Sequence, residues 1–122
     1  MTVTGPDFIA LQVRDLAASA DFYQKALGLK PAPAGAPGAV VFQTAPVPFA
    51  VREPLPGVDL DAASPRPGVG VALWLATDDL EGLQASLESA GATIVGQPAP
   101  TPFGLALTFL DPDGYAITVH QA

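Results

Sequence analysis

The chain predicts an α+β fold of two tandem βαβββ modules, on three observations. A strand–Asp-Leu–helix–Gly phrase is written twice, with its second Asp 64 residues after the first. Each copy is followed by short apolar segments of strand length. Between the copies lies the proline-rich stretch EPLPGVDLDAASPRPG (53–68), which divides the 122 residues into modules 1–53 and 69–122 joined by loop 54–68. The curled mixed sheets of the modules are expected to form a concave pocket, with the helices outside.

Residues 7–13, DFIALQV, open the first module. Ile9, Leu11 and Val13 alternate with Phe8, Ala10 and Gln12, and both sets are largely apolar, so this strand is expected to be covered on both faces. Asp15 can accept hydrogen bonds from the free amides of a first helical turn. Leu16, Ala20, Tyr23 and Leu27 then share one face of a helix, and Gly28 supplies the left-handed residue that ends it. Strands are expected near 29–34, 39–45 and 47–53. In the second module Val71 to Thr77 reads as the opening strand and Asp79 as the cap. Leu80, Leu83, Leu87 and Ala90 form the apolar stripe of the helix, and Gly91 closes it. Strands near 92–97, 104–110 and 115–121 follow. Alternation assigns Phe8, Ala10 and Gln12 to the concave side in one half. In the other half it assigns Ala72, Trp74, Ala76, Ala116, Thr118 and His120.

Composition removes several classes of function. Twelve acidic residues against five basic ones give a formal charge of −7, and Arg14, Lys25, Lys30, Arg52 and Arg66 do not cluster, which argues against nucleic acid as a partner. No apolar run approaches the roughly 20 residues of a membrane helix. No export signal is visible, so the cytoplasm is the expected compartment. The absence of cysteine excludes disulfides, thiolate metal sites and cysteine nucleophiles. Ser19, Ser64, Ser86 and Ser89 have no neighbouring base, so nucleophilic catalysis has no support.

Three segments, LQVRDLAASADFYQKALGL (11–29), LATDDLEGLQASLESAGA (75–92) and FLDPDGYAITV (109–119), resemble the vicinal oxygen chelate superfamily, the glyoxalase / bleomycin resistance protein / extradiol dioxygenase group. The resemblance covers essentially the whole chain and implies paired βαβββ modules, usually in a homodimer. In metal-using relatives the ligands stand on inward strand positions. Carried onto this chain, those positions are Phe8, Ala72 and Thr118. Phenyl and methyl groups cannot coordinate, and a neutral hydroxyl is a poor sole anchor for a divalent ion. The expectation is therefore no metal and no other cofactor.

The candidate ligand-binding residues are Phe8, Trp74, Phe103, Thr108, Thr118 and His120. Trp74 suits stacking on a flat ligand, or else it fills the core. Phe103 precedes Gly104 at the position of a pocket mouth. Thr108 and Thr118 face each other if the DPDG turn is a three-residue hairpin loop, as pocket wall or as an ordinary cross-strand pair. His120, the one histidine, is a ligand contact or an edge residue. Asp78-Asp79 and Asp111/Asp113 read as helix start and turn. Which of Arg52 and Glu53 faces inward stays open.

The function expected from these residues and the resemblance is metal-free binding of a small hydrophobic or aromatic molecule, like the drug-sequestering bleomycin-resistance branch. The alternative is a metal-dependent lyase, isomerase or dioxygenase of the same superfamily, with an unconventional site using His120 or Glu53.

Overall fold

The computed structural model describes residues 1–33 and 35–122. The first module contains β1 (Ile9–Gln12), α1 (Leu16–Lys25), β2 (Ala39–Phe42) and β3 (Phe49–Arg52). The second contains β4 (Leu73–Thr77), α2 (Leu80–Ser89), β5 (Thr93–Thr101), β6 (Gly104–Leu110) and β7 (Ala116–Gln121). Their sheets have the orders β1-β3-β2 and β4-β7-β6-β5, and in each the opening strand lies parallel to the closing one. The second sheet is the first with one strand added at the far edge. The expected α+β repeat is therefore present, and no helix among the described residues is long and apolar enough to cross a membrane.

One strand falls short. The segment near 29–34, whose last residue lies outside the described residues, makes a single bridge among those described, Pro31 to Phe42, supported by Ala32 N to Val41 O (2.7 Å) and Gln43 N to Lys30 O (2.8 Å). Pro31 and Pro33 have no amide hydrogen, so the ladder cannot extend. The corresponding β5 runs past its expected end at 97 to Thr101, with a register shift between Val95 and Ala99. As the edge strand it tolerates Pro98 and Pro100, whose missing donors need no partner on the open side.

Both helices begin and end as their sequences direct. Asp15 accepts from Ala18 N at 3.0 Å and Asp79 from Gly82 N at 2.9 Å. Gly28 and Gly91 end them at φ of 72° and 74°, which side chains with a Cβ adopt at a cost. Tyr23 and Leu87 are completely buried, whereas Ala90 is exposed and lies outside the stripe assigned to it.

The modules share one core. Val13, Tyr23, Phe42, Phe49 and Val51 from the first meet Leu80, Leu87, Leu107, Phe109, Ile117 and Val119 from the second. Each large apolar side chain of this set contributes about 1.5–3 kcal/mol by leaving water. Polar bonds then fix how the halves meet. Asp111 and Asp113, in the turn between β6 and β7, are both buried. Asp111 accepts from Tyr23 Oη at 2.7 Å, and Asp113 accepts from the Arg14 amide at 2.8 Å. Tyr115 Oη donates to the Gln12 carbonyl at 2.7 Å. Arg14 also reaches Asp61 at 2.6 Å, which ties in a short 3₁₀ turn (Leu60–Ala62) of the connecting loop. The DPDG turn thus latches the end of the second module onto the start of the first.

Candidate functional site

The second sheet has one face in the core and one open, and strand register sorts the side chains between them. Leu73, Ile117, Phe109 and Ile94 form a row across the four strands on the core side. One position along, Trp74, Thr118, Thr108 and Val95 form the matching row on the open side. Ala76, His120 and Ala106 are aligned two residues further on, on the same face. The assignment of Trp74, Thr118 and His120 to a common face is correct, and Trp74 lies outside the core at 42% exposure.

Of the candidate residues, Trp74, Phe103 and His120 come together. The Trp74 ring is 5.8 Å from Phe103 at 78° and 6.1 Å from His120 at 51°, an edge-on and a tilted contact. The His120 Nδ1 lies 2.9 Å from the Phe103 carbonyl oxygen. That carbonyl is held by its own turn, where Thr101 Oγ1 donates to Gly104 O at 2.6 Å and accepts from Phe103 N at 3.1 Å. Gly104 has φ of 113°, and a Cβ there would collide with the Gln121 carbonyl oxygen, so the turn needs glycine. Thr108 and Thr118 hydrogen-bond to one another at 2.8 Å, as a cross-strand pair. Phe8 precedes β1 and is half exposed, apart from this cluster.

Beside Trp74 and His120 opens a cavity of about 310 Å³, in the size range of small-molecule sites. It does not lie centrally in a concave sheet, as expected, but along the seam between the modules. Ile9, Phe49 and the 44–47 loop wall it from one side, and Leu73, Leu75 and Val119 from the other. The reason is topological. β1 and β4 are free edges with no strand pairing between them among the described residues, so the gap at β4 is open to side chains of both its faces. Phe8, Phe103, Thr108 and Thr118 are not in its wall. The sequence reading missed Leu27, Leu29, Thr44 and Val47, because it placed Thr44 and Val47 within strands near 39–45 and 47–53, whereas they lie in the loop between β2 and β3.

The residues present do not fit a divalent metal ion. Phe8 and Ala72 offer no lone pair, and the Thr118 hydroxyl is shared with Thr108. Among the described residues no group of three His, Cys, Asp or Glu could hold an ion. Glu53 is exposed and lies against Gly38, and neither it nor Arg52 borders the cavity.

Ionisation is perturbed at the latch. Burial raises the Tyr23 phenol, and the adjacent Asp111 raises it further, so this hydroxyl stays a donor. Burial also raises the Asp111 carboxyl, against the opposing pull of the Tyr23 hydroxyl and two backbone amides.

The chain belongs to the Glyoxalase/Bleomycin resistance protein/Dioxygenase superfamily, whose model matches residues 5–119. Among solved structures, it is similar to an integron cassette protein from the mobile metagenome of V. cholerae, with 28% identity over 98% of this chain and 95% of that one and a TM-score of 0.70. It is also similar to a glyoxalase/bleomycin resistance protein from Streptomyces sp. CB03234, at 27% identity over 96% of this chain and 100% of that one, TM-score 0.73. TnmS3, an antibiotic binding protein from the same Streptomyces strain, is 25% identical over 98% of this chain and 97% of that one, TM-score 0.74. No curated protein matches the chain in sequence.

Proposed function

We propose that the protein is a metal-independent, non-catalytic binder of small hydrophobic or aromatic molecules, working in the cytoplasm as a homodimer. The observation that carries this reading is the partly exposed Trp74, set between Phe103 and His120 at the edge of a largely apolar cavity. An exposed indole is costly surface unless something flat covers it, and stacking is what aromatic rings do well. The likeness to an antibiotic binding protein supports a sequestering, drug-resistance role over a catalytic one. A second copy would cover the outer β5 edge and exposed apolar surface such as Phe8 and Val71, leaving the seam accessible.

The test pairs two measurements on the purified protein. A panel of flat aromatic and aliphatic compounds, antibiotics included, is screened for thermal stabilisation, where aromatic members are expected to raise the melting temperature by mass action. Elemental analysis after dialysis is expected to give far less than one equivalent of zinc, nickel, manganese or iron per chain, with chelators leaving the melting temperature unchanged. Stoichiometric metal held by His120 or Glu53 would replace this proposal with the enzyme reading.

A further inference from the structure

We infer that the seam site favours flat aromatic molecules that present an N–H or O–H donor over the same rings with that donor blocked. This rests on the reading of the seam as a small-molecule site and follows from where its hydrogens are committed. The His120 Nδ1 faces a backbone carbonyl, which can only accept. In the neutral ring the hydrogen must therefore sit on Nδ1, which leaves Nε2 as a bare acceptor. Nε2 has no partner among the described residues, and the ring borders the cavity beside Trp74.

The opposite module repeats the arrangement. Thr44, in the loop that walls the cavity, donates its hydroxyl hydrogen to the Val47 carbonyl at 2.6 Å. Its oxygen keeps only lone pairs to offer a ligand. Acceptors thus stand on both sides of the seam, each fixed by a backbone carbonyl, Val47 for Thr44 and Phe103 for His120. Thr77 borders the cavity too, and its hydroxyl accepts from the Asp79 amide at 3.2 Å, leaving a hydrogen to donate. The indole N–H of Trp74 is the other side-chain donor there, and the open β4 edge offers backbone groups of both kinds. Selection therefore comes from Thr44 and His120, whose tautomer and rotamer are locked. Among the described residues no Lys, Arg, Asp or Glu borders the cavity, so none of them recruits a charged ligand there by pairing.

The experiment uses three fused two-ring probes on the intact protein at about pH 8, alkaline of the ordinary imidazole range. Indole carries an N–H donor, 1-methylindole has it blocked, and quinoline carries only an acceptor. Calorimetric titration is expected to rank indole about fivefold or more over 1-methylindole, the scale of one net hydrogen bond, with quinoline as the reference for ring stacking. His120→Phe keeps a ring in place and removes the acceptor, so the indole preference should fall towards unity. Thr44→Val, which keeps the shape, should reduce the preference in the same direction, and it serves if the first variant folds poorly. Equal or tighter binding of 1-methylindole by the unmodified protein overturns the donor rule and leaves aromatic binding standing. If none of the three binds, the seam is not an aromatic site and both readings fall together.

Discussion

Tyr23 on the first helix donates its hydroxyl hydrogen to Asp111, 88 residues further along the chain, at 2.7 Å with both groups buried. The same carboxylate accepts the amides of Asp113 and Tyr115 through its other oxygen, both at 2.9 Å. One side chain therefore shapes the β6–β7 turn and fastens it to the other module. Its sequence neighbourhood looks like paired catalytic acids, but its partners make it a joint.

Tyr23→Phe keeps the ring among Phe22, Phe42 and Phe49 and removes one donor. It leaves a buried carboxylate oxygen unpaired, and is expected to cost about 1–3 kcal/mol in urea unfolding. Asp111→Asn should cost a similar amount, with a double-mutant coupling of about 1 kcal/mol or more if the two act through this bond. Additive effects would place the loss elsewhere.

The raised Asp111 carboxyl gives a signed dependence on pH. Folded protein holds this proton to higher pH than the unfolded chain does, so the stability it contributes is present below the unfolded value and is lost as pH rises through the folded one. Unfolding midpoints of the parent relative to Asp111→Asn should fall as pH rises from about 4, the unfolded range for Asp. A parent that gains on the variant over that interval would mean that the three donors outweigh burial.

Ser19 is a second buried polar group of α1, and its hydroxyl has no hydrogen-bond partner among the described residues. Ser19→Ala removes an unpaired donor and improves helix propensity, so unfolding should show a gain of about 0.5–1 kcal/mol. A loss of similar size would reveal that the hydroxyl is satisfied.

Trp74→Ala separates binding from packing. Trp74 lies outside the shared core, so the change should weaken an aromatic ligand by about 1 kcal/mol or more. Stability should move far less than the 3–5 kcal/mol of a core tryptophan. The reverse pattern, intact affinity with a large loss of stability, would return Trp74 to the core.

Sedimentation at micromolar concentration tests the association of two copies. The expected mass is twice the chain's own 12.4 kDa. A species of one chain's mass at every concentration would leave the open edges uncovered and remove the dimer from the proposal.

Where periodicity and local chemistry agreed, the fold was legible in the sequence. The two Asp caps, the two closing glycines and the Thr108–Thr118 register each follow from a rule acting within a few residues. The strand near 29–34 was not legible, because an apolar stretch containing Pro31 and Pro33 still alternates while lacking the donors that a ladder needs. The face shared by Trp74 and His120 came out of simple alternation. The cavity beside them did not, because its walls belong to edges 64 residues apart whose separation is set by Tyr23–Asp111, Arg14–Asp113 and the common core. Pairing alternation with a concave sheet placed Phe8 with Trp74, and only the relative placement of the two sheets separates them.

A cavity whose opposite walls belong to different modules makes occupancy and docking a single thermodynamic event. Any molecule that bridges Thr44 and His120 strengthens the joint between the halves, and any change that strengthens the joint tightens the grip on the molecule by the same factor. Were the chain cut within the 54–68 connector, its two pieces would hold each other more firmly in the presence of such a compound. The pair would then serve as a two-part sensor, reporting the guest by reassembly.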